Sequence, residues 1–100
     1  MIIAVDFDGV LHDCNPDKGR RLGRPIPGAL EAVTDWAQVH TVIVHTVRGN
    51  DPGHVYDWLE FFGFPLLPVT DVKPNADLFI DDKAIRFTSW PHATEAVAAL

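Results

Sequence analysis

Two short apolar runs in this sequence end in aspartates. Residues 2–5 (IIAV) lead into Asp-Phe-Asp-Gly at 6–9, and residues 78–80 (LFI) lead into Asp81 and Asp82. Unbroken apolar runs of this length are typical of strands that are buried on both faces, as they are in parallel sheets. The sequence therefore predicts at least two parallel strands, each with carboxylates at its C-terminal end.

The rest of the chain alternates between helical and strand patterns. The apolar spacing predicts one helix that begins at residues 27–28 and a second that begins at residues 51–52 and ends at Gly63. Residues 41–46 (TVIVHT) predict a second buried strand. Residues 64–70 contain Leu-Leu between prolines, which predicts a short strand at a sheet edge.

The C-terminal residues predict two further elements. Residues 87–90 could form a short fifth strand, and residues 91–100 are expected to form a terminal helix. Trp36, Trp58 and Trp90 are expected to anchor the core. Strands that alternate with helices pair in parallel through right-handed crossovers. The predicted fold is therefore α/β, a Rossmann-like three-layer sandwich with a small parallel sheet in the order fourth, first, second, third strand (β4-β1-β2-β3).

Length and composition indicate one domain. A chain of 100 residues buries about two-thirds of its unfolded surface, so we expect residues 1–100 to form one domain without a cap. Eight basic against 14 acidic residues give a net charge of −6, which is a poor match for a protein that coats nucleic acid irrespective of sequence. Cys14 has no second cysteine to pair with. Without a signal-peptide pattern or an apolar run of roughly 20 residues, we expect a cytoplasmic protein, monomeric or weakly dimeric, that does not contact membranes.

The two groups of aspartates are expected to meet. The carboxyl ends of parallel strands lie along one rim of the sheet, where such folds bind their ligands. The carboxylates predicted to cluster there are those of Asp6, Asp8, Asp81 and Asp82. Four carboxylates cannot all ionise in a desolvated place without a cation. A site of oxygen ligands without Cys or His favours a hard ion, and Mg²⁺ is the predicted one.

Two further residues add groups suited to phosphate chemistry. Thr46 ends the predicted second strand and offers a hydroxyl and a backbone N–H, and Lys73 precedes the fourth strand. A carboxylate nucleophile, a metal ion, a hydroxyl donor and an ammonium group are the components of phosphoryl transfer. These residues therefore favour an enzyme that acts on phosphate esters.

The same residues resemble the four motifs of the haloacid dehalogenase superfamily of phosphotransferases. Asp-Phe-Asp-Gly-Val at 6–10 is similar to the first motif, Thr46 to the second, Lys73 to the third and residues 81–82 to the fourth. The motifs occur in the family's order and span most of the chain. The sequence around the third and fourth motifs is similar to small phosphatase-like members that lack a cap domain. One departure is Val47, where the family often has a small residue.

The resemblance implies a catalytic role for four residues. Asp6 would attack phosphorus and become an aspartyl phosphate. Asp8 would protonate the leaving alcohol and then activate water for the second step. Thr46 and Lys73 would hold the phosphoryl oxygens. The implied activity is hydrolysis of a phosphomonoester.

The resemblance also implies the metal ligands and the width of the substrate range. Mg²⁺ would be bound by Asp6, by the backbone carbonyl of Asp8 and by Asp81, with Asp82 assisting directly or through water. Without a cap, the rim stays open to bulky substrates. The expected substrates therefore include small phosphomonoesters, nucleotides and phosphorylated nucleic-acid ends.

The loop at residues 9–27 concentrates positive charge. Half of all Lys and Arg in the chain lie in it: Lys18, Arg20, Arg21 and Arg24. A solvated surface loop explains them, and so does a clamp for a second phosphate or for the backbone of a phosphorylated polymer. His12 and Arg48 flank the rim and are candidates for substrate contact. His45 is expected to point into the packing between strand and helix.

Two other functions stay open. The same fold could bind a metal or phosphate without turnover, and phosphate release with and without Mg²⁺ separates this binder from an enzyme. A phospho-accepting receiver domain also has a parallel sheet, clustered aspartates, a Thr and a Lys. It requires an acceptor aspartate at the end of a middle strand, whereas Asp57 lies in a predicted helix and the middle strand ends in Thr46. The receiver is therefore the weaker alternative.

Overall fold

Strands and helices alternate along the chain. The computed structural model describes residues 1–13, 22–47 and 52–100. The elements in chain order are β1 (Ile2–Asp6), α1 (Ala29–Val39), β2 (Thr41–His45), α2 (Pro52–Phe61), β3 (Val69–Thr70), β4 (Leu78–Ile80) and α3 (Trp90–Ala98). Within the described ranges, no helix has both the length and the apolar character needed to cross a membrane.

The four strands form one parallel sheet in the order β3-β2-β1-β4. Read from the opposite edge, this is the order that the sequence predicts, and the α/β class is confirmed. β1 lies inside the sheet: Asp6 pairs with His45 of β2, and Val5 pairs with Ile80 of β4. Because all strands run in the same direction, Asp6 and the residues that follow Ile80 emerge at one rim.

The hydrophobic core joins the sheet to the first two helices. β1 contributes Ile3 and Val5, and their register partners Val42 and Val44 on β2 are also buried. The members of the same cluster from α1 and α2 are Val33, Val55, Trp58 and Leu59. Burying one such apolar side chain stabilises a fold by roughly 1.5–3 kcal/mol. The cluster therefore holds β1 in place, and with it the position of Asp6.

The predicted helix boundaries are confirmed where the structure describes them. α1 follows Gly28 directly. α2 ends at Phe61, and Gly63 adopts a φ of 81°, a left-handed conformation that favours glycine and ends helices. Asp51, which is predicted to cap α2, lies outside the described residues.

The edge strand β3 lies further along the chain than the leucine pair that predicted it. Leu66 is almost fully exposed and Leu67 is buried, but neither belongs to a strand. Proline has no N–H to donate to a neighbouring strand. Pairing begins where the Pro68 carbonyl accepts a hydrogen bond from the Val44 N–H at 2.9 Å. The strand therefore comprises Val69–Thr70 only.

The prediction of a fifth strand at residues 87–90 is wrong. Ser89 caps a helix instead, because its Oγ accepts a hydrogen bond from the His92 N–H at 3.2 Å. Trp90 is therefore the first residue of α3, one residue earlier than the predicted helix.

α3 does not cover β4, the strand at one edge of the sheet. Among the described residues, α3 contacts no other helix or strand. Trp90 is 75% exposed, and its predicted role as a core anchor is wrong. The prediction that β4 is buried is also wrong: Leu78 and Phe79 are 43% and 39% exposed, because β4 is an edge strand without a helix over it. Trp58 is buried in the core and Trp36 packs against it, as predicted.

Candidate active site

Three carboxylates meet at the rim where β1 and β4 end. One oxygen atom from each of Asp6, Asp81 and Asp82 lies within 4.8 Å of the other two. Asp6 is the last residue of β1, and the other two follow β4 directly, so the parallel pairing of these strands brings the three together. The predicted meeting of the two aspartate groups is confirmed for these residues.

Asp6 is the most constrained of the three carboxylates. It is half-buried, whereas Asp81 and Asp82 are exposed. Burial is the main factor that raises the pKa of Asp6 above its ordinary value of 3.8, and the charge of Asp81 is the second. A hydrogen bond from the Phe7 backbone opposes the rise in pKa, and the charges of Asp82 and Asp8 add to it. Ionisation of Asp6 is therefore less favourable here than in water, and a nearby positive charge would reduce that cost.

The donor set fits a hard divalent cation. The three side chains of the cluster offer oxygen atoms only, and hard ions such as Mg²⁺ and Ca²⁺ take oxygen ligands. Asp81 Oδ1 accepts a hydrogen bond from the Lys83 N–H at 2.8 Å, which restricts the orientation of the carboxylate. A cation among these oxygens would offset both the burial and the repulsion that raise the pKa of Asp6.

A tight turn brings the backbone of Gly9 against the same cluster. The Phe7 carbonyl accepts hydrogen bonds from the N–H groups of Leu11 (3.1 Å) and His12 (3.2 Å), which closes the turn. Gly9 has a φ of 82°. A Cβ added to it would collide with the Asp82 carboxylate, 3.0 Å from its Cγ. A side chain at position 9 would therefore have to displace the Asp82 carboxylate, and the left-handed conformation also favours glycine there.

Asp8 has different surroundings from those of Asp6. Its carboxylate lies outside the group of three, and its Oδ1 is 2.6 Å from Nε2 of His12. The Asp8 side chain keeps 24% of its surface exposed, whereas the His12 side chain has none. The prediction that His12 contacts substrate is wrong, because the ring is buried beside Phe7 and Trp58. The metal role that the resemblance implies for the Asp8 backbone carbonyl stays a prediction.

Thr46 is buried directly after β2, at the same end of the sheet. Its backbone N–H donates a hydrogen bond to the Thr70 carbonyl at 2.9 Å. This N–H, which the sequence predicted to be available at the site, instead pairs with β3. The predicted role of the Thr46 hydroxyl stays a prediction.

Lys73 lies beside β4. Its Nζ is 5.0 Å from the centre of the Phe79 ring, which is a cation–π contact. Lys73 and Asp81 line the same cleft, which has a volume of about 590 Å³. The structure therefore brings Lys73 to a cleft that adjoins the carboxylate cluster.

Two residues in this cleft were missed as site residues by the sequence analysis. His45, expected in the packing between strand and helix, is half-buried and lines the cleft, and Arg86 lines it as well. Strand alternation would have indicated His45, since it follows the buried Val44 and therefore points to the other face of the sheet. No sequence signal distinguishes Arg86 from an ordinary surface residue.

Most of the predicted cationic clamp lies outside the described residues. This holds for Lys18, Arg20 and Arg21, and also for Arg48, the separate candidate for substrate contact. Arg24 is exposed, and its backbone carbonyl accepts a hydrogen bond from the Asp13 N–H at 3.0 Å. Substrate contact by these residues stays a prediction.

A comparison with known proteins supports the fold. The chain matches no known family model and no curated protein. It is similar to the solved structure of a conserved protein from Bacteroides thetaiotaomicron, with 28% identity and a TM-score of 0.71, and the match covers 99% of this chain and 90% of that chain. The description of that protein names no activity, so a function for this chain depends on the geometry of its own residues.

Proposed function

We propose that this protein is a Mg²⁺-dependent phosphomonoester hydrolase of the haloacid dehalogenase type. The observation that carries the proposal is the contrast between Asp6 and Asp8. Asp6 lies in a crowded cluster with two other carboxylates, whereas Asp8 lies apart and contacts His12. Two carboxylates in such different surroundings suit two different tasks, those of a nucleophile and of a general acid.

In the first step of the proposed reaction, Asp6 attacks phosphorus. One of its carboxylate oxygens forms a bond to phosphorus while the bond to the leaving oxygen breaks, and Asp8 gives its proton to that oxygen. In the second step, Asp8 takes a proton from water as the water oxygen attacks the same phosphorus. The bond between phosphorus and Asp6 then breaks, and inorganic phosphate leaves. Both aspartates end in the protonation states in which they began.

The remaining residues bind and orient in this proposal. Asp6, Asp81 and Asp82 would hold the cation. When bound, Mg²⁺ supplies positive charge that offsets the carboxylates and the charge on the phosphoryl oxygens. The Thr46 hydroxyl and the Lys73 ammonium would hold those oxygens. His45 and Arg86 are not needed for either step.

The proposed substrates are nucleotides and phosphorylated nucleic-acid ends. Asp81 and Asp82 are exposed at the rim, and the adjoining cleft contains Lys73 and Arg86. A substrate with a second phosphate would have these cations to contact, besides those predicted in the loop at residues 9–27. We expect the enzyme to work in the cytoplasm.

A phosphate-release assay tests the proposal. The panel contains sugar phosphates, nucleotides and 3′- or 5′-phosphorylated oligonucleotides, each with Mg²⁺ and with chelator. Release should require Mg²⁺, and Asp6→Asn should abolish it because an amide cannot act as the nucleophile. Asp57→Asn, at an exposed position on α2, is the matched control and should hydrolyse at the wild-type rate. Binding of Mg²⁺ and phosphate without release from any substrate would identify a binder instead.

A further inference from the structure

We infer that His12 is a positioning residue for Asp8. It donates its Nε2–H to the Asp8 carboxylate as a neutral imidazole, and the backbone of Gly23 selects this tautomer. The consequence for catalysis rests on the proposed function of Asp8, but the tautomer of His12 does not.

The side chains of His12 and Asp8 contact each other directly. His12 Nε2 lies 2.6 Å from Asp8 Oδ1, and no part of the His12 side chain is exposed. A carboxylate oxygen accepts hydrogen bonds, so a hydrogen on Nε2 makes this contact favourable. Because the ring is buried, bulk solvent does not reach it to replace Asp8 as its partner.

The other ring nitrogen of His12, Nδ1, contacts the backbone of Gly23. The Gly23 N–H donates to His12 Nδ1 at 3.2 Å, and Gly23 is buried. A backbone N–H can only donate, so Nδ1 must present its lone pair and the proton of the neutral ring must lie on Nε2. Nδ1 is also 3.2 Å from the carbonyl oxygen of Asp13. A proton on Nδ1 would satisfy that oxygen, but it would leave the Gly23 N–H without an acceptor in a contact that is buried, whereas the contact with the Asp13 carbonyl is only partly buried.

The position of Gly23 is itself fixed by a core residue, Trp58. The indole N–H of Trp58, on α2, donates to the Gly23 carbonyl at 2.8 Å. The Trp58 ring centre is also 5.9 Å from that of His12, and the Phe7 ring centre is 4.6 Å from it. Core residues therefore hold both the imidazole and the backbone group that selects its tautomer.

This arrangement orients Asp8 before a substrate binds. Because Oδ1 accepts from His12, the carboxylate cannot rotate freely, and the proton that Asp8 delivers to the leaving oxygen must be carried by Oδ2. Fixing a general acid in its reactive orientation removes a cost from the transition state. His12 would act through Asp8 without touching the substrate.

Nitrogen NMR of the imidazole rings tests the tautomer without an activity measurement. In the wild-type protein near neutral pH, His12 should show one protonated nitrogen, Nε2, and one unprotonated nitrogen, Nδ1. The exposed His92 should show the exchange-averaged signals of a solvated ring. A proton on Nδ1 of His12, alone or in the doubly protonated ring, would overturn the inference.

A pair of substitutions tests the effect on catalysis. His12→Asn places an oxygen near the position of Nδ1, so it keeps an acceptor for Gly23 and removes the donor to Asp8. His12→Gln places an amide N–H near the position of Nε2 and restores that donor. The kcat of His12→Asn should fall by about 10- to 100-fold on an alkyl phosphate, because the acid is misplaced. The KM should stay unchanged, and His12→Gln should recover most of the loss.

The leaving group separates positioning from a structural role. An aryl phosphate has a better leaving group and needs less help from an acid, so His12→Asn should lose less kcat on it than on the alkyl phosphate. Equal losses on both substrates, or no rescue by His12→Gln, would contradict the positioning role. His92→Asn is the control for the same change at an exposed site. If the wild-type protein hydrolyses no substrate, the proposed function fails, whereas the NMR result still decides the tautomer, including when His12→Asn does not fold.

Discussion

The backbone of Gly9 lies against the carboxylate of Asp82, with no room for a side chain between them. This contact joins the turn after β1 to the residues after β4, which are the two segments that supply the carboxylate cluster. Gly63 offers a comparison, because its φ of 81° is close to the 82° of Gly9. Among the described residues, nothing lies within 4 Å of a Cβ added to Gly63.

Gly9→Ala and Gly63→Ala should therefore differ in their response to Mg²⁺. Both substitutions should lower the free energy of unfolding by about 1–2 kcal/mol, since an L-residue is strained in the left-handed conformation. Only Gly9→Ala should also reduce the rise in Tm on addition of Mg²⁺, because it displaces Asp82. Thermal melts with and without Mg²⁺ measure both effects. Equal Mg²⁺ responses in the two variants would show that Asp82 is not part of a cation site.

The raised pKa of Asp6 predicts how the stability of the metal-free protein depends on pH. An acid whose pKa is higher in the folded chain binds its proton more tightly there. The extra stability that this bound proton gives the folded chain is present below the ordinary pKa of 3.8. It is lost as the pH rises through the raised pKa of Asp6 in the folded state. Asp6→Asn should thus increase the free energy of unfolding at pH 7, and the gain should shrink towards pH 4.

Urea denaturation in the presence of a chelator, at pH 4 and at pH 7, checks this sign. Asp57→Asn serves as the control, because Asp57 is exposed on α2, and it should show no such gain. A metal-free Asp6→Asn variant that is less stable than the wild type at pH 7 would contradict the cost that burial and the neighbouring charges impose on the Asp6 carboxylate.

Asp8→Asn should accumulate a phosphorylated protein. With an aryl phosphate, the leaving group departs without an acid, so Asp6 can still become phosphorylated. The second step needs a base to activate water, and asparagine cannot act as one, so the aspartyl phosphate should persist. Labelled aryl phosphate and quenching in acid detect it, with Asp6→Asn as the unlabelled control. Turnover of Asp8→Asn at the wild-type rate without trapped label would contradict the acid–base role.

Trp58→Phe should lower the stability of the fold, whereas Trp90→Phe should leave it nearly unchanged. Trp58 is 6% exposed, and its indole N–H satisfies the buried Gly23 carbonyl. Phenylalanine removes that donor, so the free energy of unfolding should fall by about 1–3 kcal/mol. Trp90 is 75% exposed on α3, and its replacement should change the free energy by less than about 0.5 kcal/mol. Similar losses in the two variants would show that α3 packs on the core in solution.

The strand ends were predictable because short apolar runs and parallel pairing determine them. Residues 2–5 and 78–80 are each followed by aspartate, and the rule that parallel strands end at one rim is sufficient to bring Asp6, Asp81 and Asp82 together. Burial was less predictable. The apolar pattern of 78–80 matches that of an interior strand, but whether a helix covers the strand depends on tertiary packing that the pattern does not contain.

The contact between Asp8 and His12 could not be predicted from spacing. Residues four apart are neighbours on a helix, but these two lie in an irregular turn that is closed by backbone hydrogen bonds to the Phe7 carbonyl. The partner of Nδ1, Gly23, is eleven residues further along the chain. His12 was therefore singled out as a residue near the rim, while its buried position depended on contacts distant in sequence.

The central position of β1 and the edge position of β4 have a consequence for local opening. β1 is hydrogen-bonded to a strand on each side, whereas β4 is paired on one side only and is largely exposed. Amide hydrogens of β1 should exchange with solvent only when the whole domain unfolds, and those of β4 during smaller fluctuations. The carboxylate cluster takes Asp6 from the first segment and the other two aspartates from the end of the second. A cation held by all three would link a slowly exchanging segment to a rapidly exchanging one. Metal occupancy would then determine how often β4 separates from the rest of the sheet.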